Sequence, residues 1–163
     1  EGELTHGDNM GNQRTLGRGD VQYMSAGTGV VHSEYNRGAV PLRLLQIWIF
    51  PDRDGYEPRY GDYRFPWEER VNSWLHMVSG EGGDAPISIH QHMDIYAADL
   101  MEGKNISLPV PADKQAYLVV IEGGCTVNGI PLRQRDGLGA EGENLEITAG
   151  ERAHLLAFVM DKG

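Results

Sequence analysis

A single cysteine, Cys125, excludes an internal disulfide from this 163-residue chain and removes it from the disulfide-stapled class of small secreted domains. The expectation is a reducing compartment, the cytoplasm, with Cys125 acting as a small buried apolar residue. Positive charge is also scarce: 14 Lys and Arg stand against 24 Asp and Glu, for a net charge of −10. Binding nucleic acid through its phosphates needs clustered bases that displace counterions, and no such cluster exists, so direct nucleic-acid binding is excluded. Long apolar runs are missing. The longest, Leu44 to Phe50, is interrupted by Gln46 and is far too short to cross a bilayer, and nothing at the N-terminus resembles a signal h-region. A soluble chain with no membrane partner is expected. The chain also begins without Met, which suits an internal fragment or processed product.

What remains is a globular composition, 40% apolar, long enough for one large or two small domains with a sizeable core. Residues 1–19 read as a strand, the turn Asn9-Met-Gly-Asn12 and a second strand through Arg14-Thr-Leu16. Asp20 to Met24 alternates as a strand, with Val21 and Tyr23 on one face and Gln22 and Met24 on the other; either face suits the interior. Leu42 to Phe50, apolar and closed by Pro51, predicts a buried strand. On it Leu44, Gln46 and Trp48 share a face, Gln46 bordering a pocket or water and Trp48 chiefly packing the core. Asp52 to Pro66 reads as an ordered linker, and Pro66 to Arg70 as a short helical turn. Further strands are expected from Ser73 to Val78, Ile87 to His90, Ile95 to Leu100, Ala116 to Ile121, Thr126 to Ile130, Leu145 to Thr148 and His154 to Met160. Many short strands and no long helix predict an all-β barrel or sandwich.

Chemistry concentrates in the stretch from Gly19 to Asn36. Gly27 and Gly29 allow a sharp turn with positive φ. Beyond it His32 and Glu34, two apart on an extended strand, project to the same side. Imidazole with carboxylate suits Fe, Mn, Ni, Cu or Zn rather than Ca or Mg alone. An isolated H-x-E, however, is more often a solvated loop or a structural hydrogen bond. His6 as a lone histidine is twice as often a bland hairpin residue as a pocket residue. His90-Gln-His92 has the same alternate spacing, but H-x-H is common by chance and is given about one chance in ten of binding a metal by design.

The spacing Gly19, Gly27, His32, Asn36, the wording GDVQYMSAGTGVVHSEYN and the following LRLLQIWIFP resemble the pirin family of the cupin superfamily. Glu1 to Asn12 resembles the end of that family's first cupin motif and its hairpin. The likeness runs over essentially the whole chain, most strongly to about Arg64. It implies a bicupin, two jelly-roll-like β-barrels, with the N-terminal barrel incomplete. Residues 1–64 would be the remainder of the metal-site barrel with its linker, and 65–163 a C-terminal barrel without a metal site. A weak repeat agrees: Glu1-Gly-Glu-Leu-Thr5 has a counterpart in Glu122-Gly-Gly-Cys-Thr126, each beginning a hairpin, and no His or Glu lies between Leu108 and Ile121. Two of the family's four metal ligands would lie before residue 1, and His32 and Glu34 would be the other two.

The resemblance further implies that the intact protein is a metal-dependent dioxygenase acting on a flavonol such as quercetin together with O2, and that this fragment alone is inactive until the missing N-terminal ligands are supplied. The metal would be iron first, with nickel, manganese, copper or zinc as alternatives, and absent or weakly held in a chain carrying only two ligands. Glu34 would serve as both ligand and catalytic base, with His6, Gln22, Met24, Gln46 and Trp48 lining the pocket. The alternative from another class is a metal- or redox-responsive protein-binding module resembling transcriptional co-regulators; a third is a catalytically silent fold. Residues 74–160 contain every strand a second barrel needs and should be the better-ordered half. The first sixty-odd residues are expected to pair with another chain or with a separately supplied N-terminal piece.

Overall fold

The computed structural model describes residues 1–162 and is nearly all β, with fifteen strands and one 3-10 turn among them. By its internal contacts the chain divides into two compact units. The first holds residues 1–65 with 89–91, the second residues 66–88 with 92–163.

In the first unit, β1 (Leu4–Asp8) and β2 (Gln13–Leu16) form the expected hairpin, paired from Leu4 with Leu16 to Gly7 with Gln13. Its turn is built by one side chain: the Asp8 carboxylate accepts hydrogen bonds from the Met10 and Asn12 backbone N–H and from the Asn12 carboxamide. Short polar side chains that capture their own following backbone are what make such turns. β4 (His32–Tyr35) lies on the other side of β1, giving the order β2-β1-β4. β3 (Asp20–Ser25) pairs instead with β5 (Arg59–Arg64) in a separate ladder. The 59–64 stretch is therefore a strand and not the linker expected from its aperiodic aromatics.

The expected strand from Leu42 to Phe50 is not there. Residues 36–58 carry no strand, and Leu44, Leu45, Ile47, Trp48 and Phe50 are exposed, Trp48 by 82% and Phe50 by 84%. Gln46 is exposed as well, so neither it nor Trp48 lines a pocket or packs a core. The apolar reading of this segment was correct as chemistry, but no strand among the described residues pairs beside it to complete a ladder. Its one ladder-like attachment is at the chain start, where Glu1 and Arg43 exchange backbone hydrogen bonds in both directions.

In the second unit the 3-10 turn Trp67–Arg70 follows Pro66 as expected. The remaining strands are β6 (Leu75–Gly80), β7 (Ile87–Ile89), β8 (Met93–Leu100), β9 (Asn105–Leu108), β10 (Lys114–Glu122), β11 (Gly124–Val127), β12 (Ile130–Arg133), β13 (Gly137–Glu141), β14 (Leu145–Ala149) and β15 (Ala153–Asp161). They form a six-stranded sheet, β13-β10-β15-β8-β6-β7, and a four-stranded sheet, β12-β11-β14-β9. Alternation is strict in β14 of the smaller sheet, whereas β8 and β15 of the larger one bury consecutive residues. Leu145, Ile147 and Ala149 face in while Glu146 and Thr148 face out, and Leu118, Val120, Leu155 and Ala157 are fully buried from the other sheet. Each large aliphatic so buried contributes about 1.5–3 kcal/mol before entropy is charged against it. Cys125 sits in this core, as expected. The single strand predicted from Thr126 to Ile130 is in fact two. Asn128 and Gly129, both at positive φ (47° and 83°), make the tight turn between β11 and β12, the Asn-Gly signature of a two-residue hairpin.

The weak repeat has a physical counterpart. Gly2 and Gly123 hold nearly the same left-handed φ, 74° and 72°, and each precedes a strand that opens a hairpin. A Cβ on Gly2 would lie 2.6 Å from the Pro41 carbonyl oxygen, and one on Gly123 would run into that of Arg152.

Candidate functional site

Register decides which side chains meet in the first unit. Across the β1–β4 ladder His6 stands opposite Glu34 and Asp8 opposite His32. Directly opposed residues share a face, so His6, Asp8, His32 and Glu34 all project from one side of the three-stranded sheet. The expected same-side placement of His32 and Glu34 on a strand is what the structure has. Entry to β4 is set by the glycine turn. Gly27 and Gly29 lie at φ 50° and 136°, and a side chain on Gly27 would strike the Tyr56 carbonyl oxygen. Asn9 then receives the strand, its N–H donating to the Val31 carbonyl and its side-chain oxygen accepting from the Val31 N–H.

The β3–β5 ladder supplies the opposing wall. Gln22 pairs with Asp62 and Met24 with Tyr60, which puts these four on one face. Three contacts turn that face toward the first: Arg14 to Asp62 at 3.0 Å, the Gln22 carboxamide N–H to Glu34 Oε1 at 2.6 Å, and the ring of Tyr60 flat on that of His6 at 4.2 Å. The inner face of β3 is thus the one carrying Gln22 and Met24. The Tyr60 hydroxyl donates in turn to Gln22 Oε1 at 3.4 Å.

His6 is the most enclosed member, only 1% exposed. Its Nε2 meets Asp8 Oδ2 at 3.1 Å, its ring lies 5.8 Å from that of His32, and its Nδ1 is buried with no hydrogen-bond partner. Burial opposes ionisation of Asp8, but the hydrogen bonds from Asn12, His6 and Met10 outweigh it and hold the carboxyl well below the usual carboxylate range. Tyr60 moves the other way: burial, aided by the nearby Asp62 charge, pushes its phenol up to about 12. His32 and Glu34 themselves are exposed, and the His32 ring makes no hydrogen bond among the described residues.

Of the residues singled out in the sequence, His6, Gln22, Met24, His32 and Glu34 are brought to these facing walls, together with Asp8, Tyr60, Arg14 and Asp62, which the sequence reading did not single out. Asp8 was signalled by its spacing of two from His6. Tyr60 and Asp62 were hidden by reading their strand as a linker. His90-Gln91-His92 does not form a pair: His90 stacks on Tyr56, ring centroids 3.5 Å apart, while His92 Nδ1 lies 3.3 Å from Asp161. Both sit on bends between strands, where the alternation that would align two imidazoles does not hold. Among the described residues no three of His, Cys, Asp and Glu converge as a metal-holding group, and no helix is long and apolar enough to cross a membrane.

Two family models match the chain: pirin over residues 1–49, and the quercetinase C-terminal cupin domain over residues 69–160. A Pseudomonas aeruginosa protein provisionally named quercetin 2,3-dioxygenase is 41% identical over 158 residues, covering 96% of this chain and 68% of that protein. A protein of Escherichia coli K12 named quercetin 2,3-dioxygenase is 34% identical over 160 residues, covering 97% and 68%. Among solved structures, the bacterial pirin YhhW of Escherichia coli in complex with nickel(II) superposes with a TM-score of 0.90 at 33% identity, over all of this chain and 70% of that one. The all-β architecture is that of these cupin neighbours, and the chain belongs to the pirin family.

Proposed function

We propose that the protein is a metal-dependent dioxygenase of the quercetinase type, acting on a flavonol such as quercetin with O2, and that His32 and Glu34 are two of the metal's ligands and Glu34 the catalytic base. One observation carries the reading: His32 and Glu34 leave one face of β4, opposite Asp8 and His6, with donor atoms unspent. Glu34 Oε2 and both His32 nitrogens make no hydrogen bond among the described residues. Imidazole beside carboxylate is a donor set for a divalent first-row transition ion, and the orphaned, buried His6 Nδ1 marks the same wall as built for more than packing. The residues therefore fit such an ion, and the nickel complex of the similar Escherichia coli pirin supports a divalent metal; iron leads among the candidates. Two ligands leave its other positions to water, substrate or further protein.

When bound, the metal would supply Lewis-acid polarisation of the substrate's enol oxygen. The chain's own work is local. Glu34 takes the enol proton on a carboxylate oxygen, raising the electron density that reaction with O2 requires. Gln22 holds the other oxygen of that carboxylate. His6, pinned by Asp8 and stacked on Tyr60, backs the His32 ring, with Met24 beside Tyr60 as pocket lining. The test is O2 uptake and loss of flavonol absorbance by the full-length protein, its N-terminal ligands supplied, loaded with Fe(II) or Ni(II). Glu34→Gln should lower kcat by about 100-fold or more, the usual scale for a general base; parent protein no faster than that variant sinks the reading.

A second reading, a non-enzymatic metal- or redox-responsive protein-binding module resembling transcriptional co-regulators, is favoured by the exposed apolar stretch from Leu44 to Phe50. A partner pull-down that is the same for metal-loaded, metal-free and His32→Ala protein argues against any metal-gated form of it. On either reading the second unit acts as a barrel without a metal site, its interior filled by aliphatic side chains.

A further inference from the structure

Gln22 stands between two groups that face each other across the first unit. Its carboxamide N–H donates to Glu34 Oε1 at 2.6 Å, and its carbonyl oxygen accepts from the Tyr60 hydroxyl at 3.4 Å. The orientation of the amide is not arbitrary. An ionised carboxylate only accepts, so the NH2 end must face Glu34; the carbonyl end is then left for a donor, and the Tyr60 hydroxyl, 3.4 Å away, is one. Donation therefore runs one way, from Tyr60 through Gln22 to Glu34. The three residues come from three strands, β5, β3 and β4, in two different ladders. A carboxylate on an exposed edge strand would otherwise rotate freely about its terminal torsion.

Resting on the reading of Glu34 as ligand and base, we propose that Gln22 is a positioning residue that divides the two oxygens of Glu34: Oε1 is held by the Gln22 amide, and Oε2 is the atom presented to the metal and the substrate proton. Tyr60 is the outer member of the relay, fixing the amide that fixes the carboxylate. A ligand oriented in this way loses affinity for its ion when the orienting group is removed, typically ~10- to 100-fold. If Gln22 merely tied the two ladders together, its loss would lower the melting temperature and leave metal affinity alone.

The experiment has two arms. In metal-free protein labelled with 15N, one Gln22 side-chain amide proton should be shifted downfield and exchange slowly, and both protons should become solvent-like in Glu34→Ala. Solvent-like Gln22 amide protons in the parent protein would overturn the proposal without any variant of Gln22. In the second arm Ni(II) is titrated calorimetrically into parent, Gln22→Leu, Gln22→Met, Tyr60→Phe and His32→Ala proteins. Gln22→Leu and Gln22→Met should lose about 10-fold or more in Ni(II) affinity with an unchanged melting temperature, and Tyr60→Phe a smaller factor. Parent-like Ni(II) affinity in both Gln22 variants, alongside loss in His32→Ala, overturns the positioning role and leaves the metal-site reading standing. Unchanged affinity in His32→Ala as well removes the metal-site reading, and the proposal falls with it.

Discussion

The ring of His6 lies flat against that of Tyr60, with centroids 4.2 Å apart and planes 12° from parallel. This stack joins the two ladders of the first unit and removes the Tyr60 phenol from water, which, with the Asp62 charge, pushes it up to about 12. Unfolded tyrosine titrates near 10. Between those values the unfolded chain has released a proton that the folded unit still holds, so stability falls as pH rises through this window. Denaturant melts at pH 9, 10.5 and 12 should show the loss, and Tyr60→Phe should flatten it.

Asp99 in β8 presents the opposite case. The Arg152 guanidinium grips both its oxygens, at 3.0 and 2.6 Å, and the Trp67 indole N–H adds a third bond at 2.8 Å. The hydrogen bonds from Arg152, more than offsetting burial and joined by that of Trp67, hold the carboxyl below its ordinary range. Its contribution is complete above the unfolded value near 4 and fades as pH falls through the lower folded one. Thermal melts should show Asp99→Asn lowering the melting temperature by several degrees at pH 7 and removing part of the acid dependence below pH 4.

Gly123→Ala should destabilise the second unit by at least about 2 kcal/mol, because it adds a left-handed penalty to an overlap with the Arg152 carbonyl oxygen. Urea melts of the two proteins measure the difference. Gly129→Ala, at positive φ but with open space around its Cβ, should cost less, which separates strain from collision.

Trp48 and Phe50 stand largely in water. Replacing both with Ser should change stability by no more than about 0.5 kcal/mol per site, yet reduce binding of an apolar dye and self-association in light scattering. A large loss of stability would place these rings in a packed environment and contradict their exposure.

Most of the second unit was legible in the sequence where a strand buries one face and leaves the other wet, as Leu145 to Ala149 does, but β9 and β13 were not expected: β13, Gly137–Glu141, holds two glycines and buries no residue, and β9, Asn105–Leu108, buries only Leu108. The merging of β11 with β12 came from reading Val127 and Ile130 as one apolar run and passing over the Asn-Gly pair between them. In the first unit the same-side placement of His32 and Glu34 was legible through spacing, as was that of His6 and Asp8 on β1, but Tyr60 and Asp62 were not, since their placement depends on cross-strand register. Leu42 to Phe50 shows the limit most clearly. Apolar periodicity states what a segment would bury, whereas a strand also needs a partner for its backbone, and among the described residues no strand pairs with this one, whose backbone meets only that of Glu1, at Arg43.

Trp48 has a further use that follows from its exposure. It is the only tryptophan of the first unit, while Trp67 and Trp74 of the second donate their indole N–H groups to Asp99 and to the Ser107 carbonyl. Light absorbed by the indoles is therefore emitted from two unlike surroundings: a red-shifted, iodide-quenchable component from the first unit and a bluer, protected one from the second. The molecule carries its own optical label for each half, and the unfolding of one can be watched without mistaking it for the other.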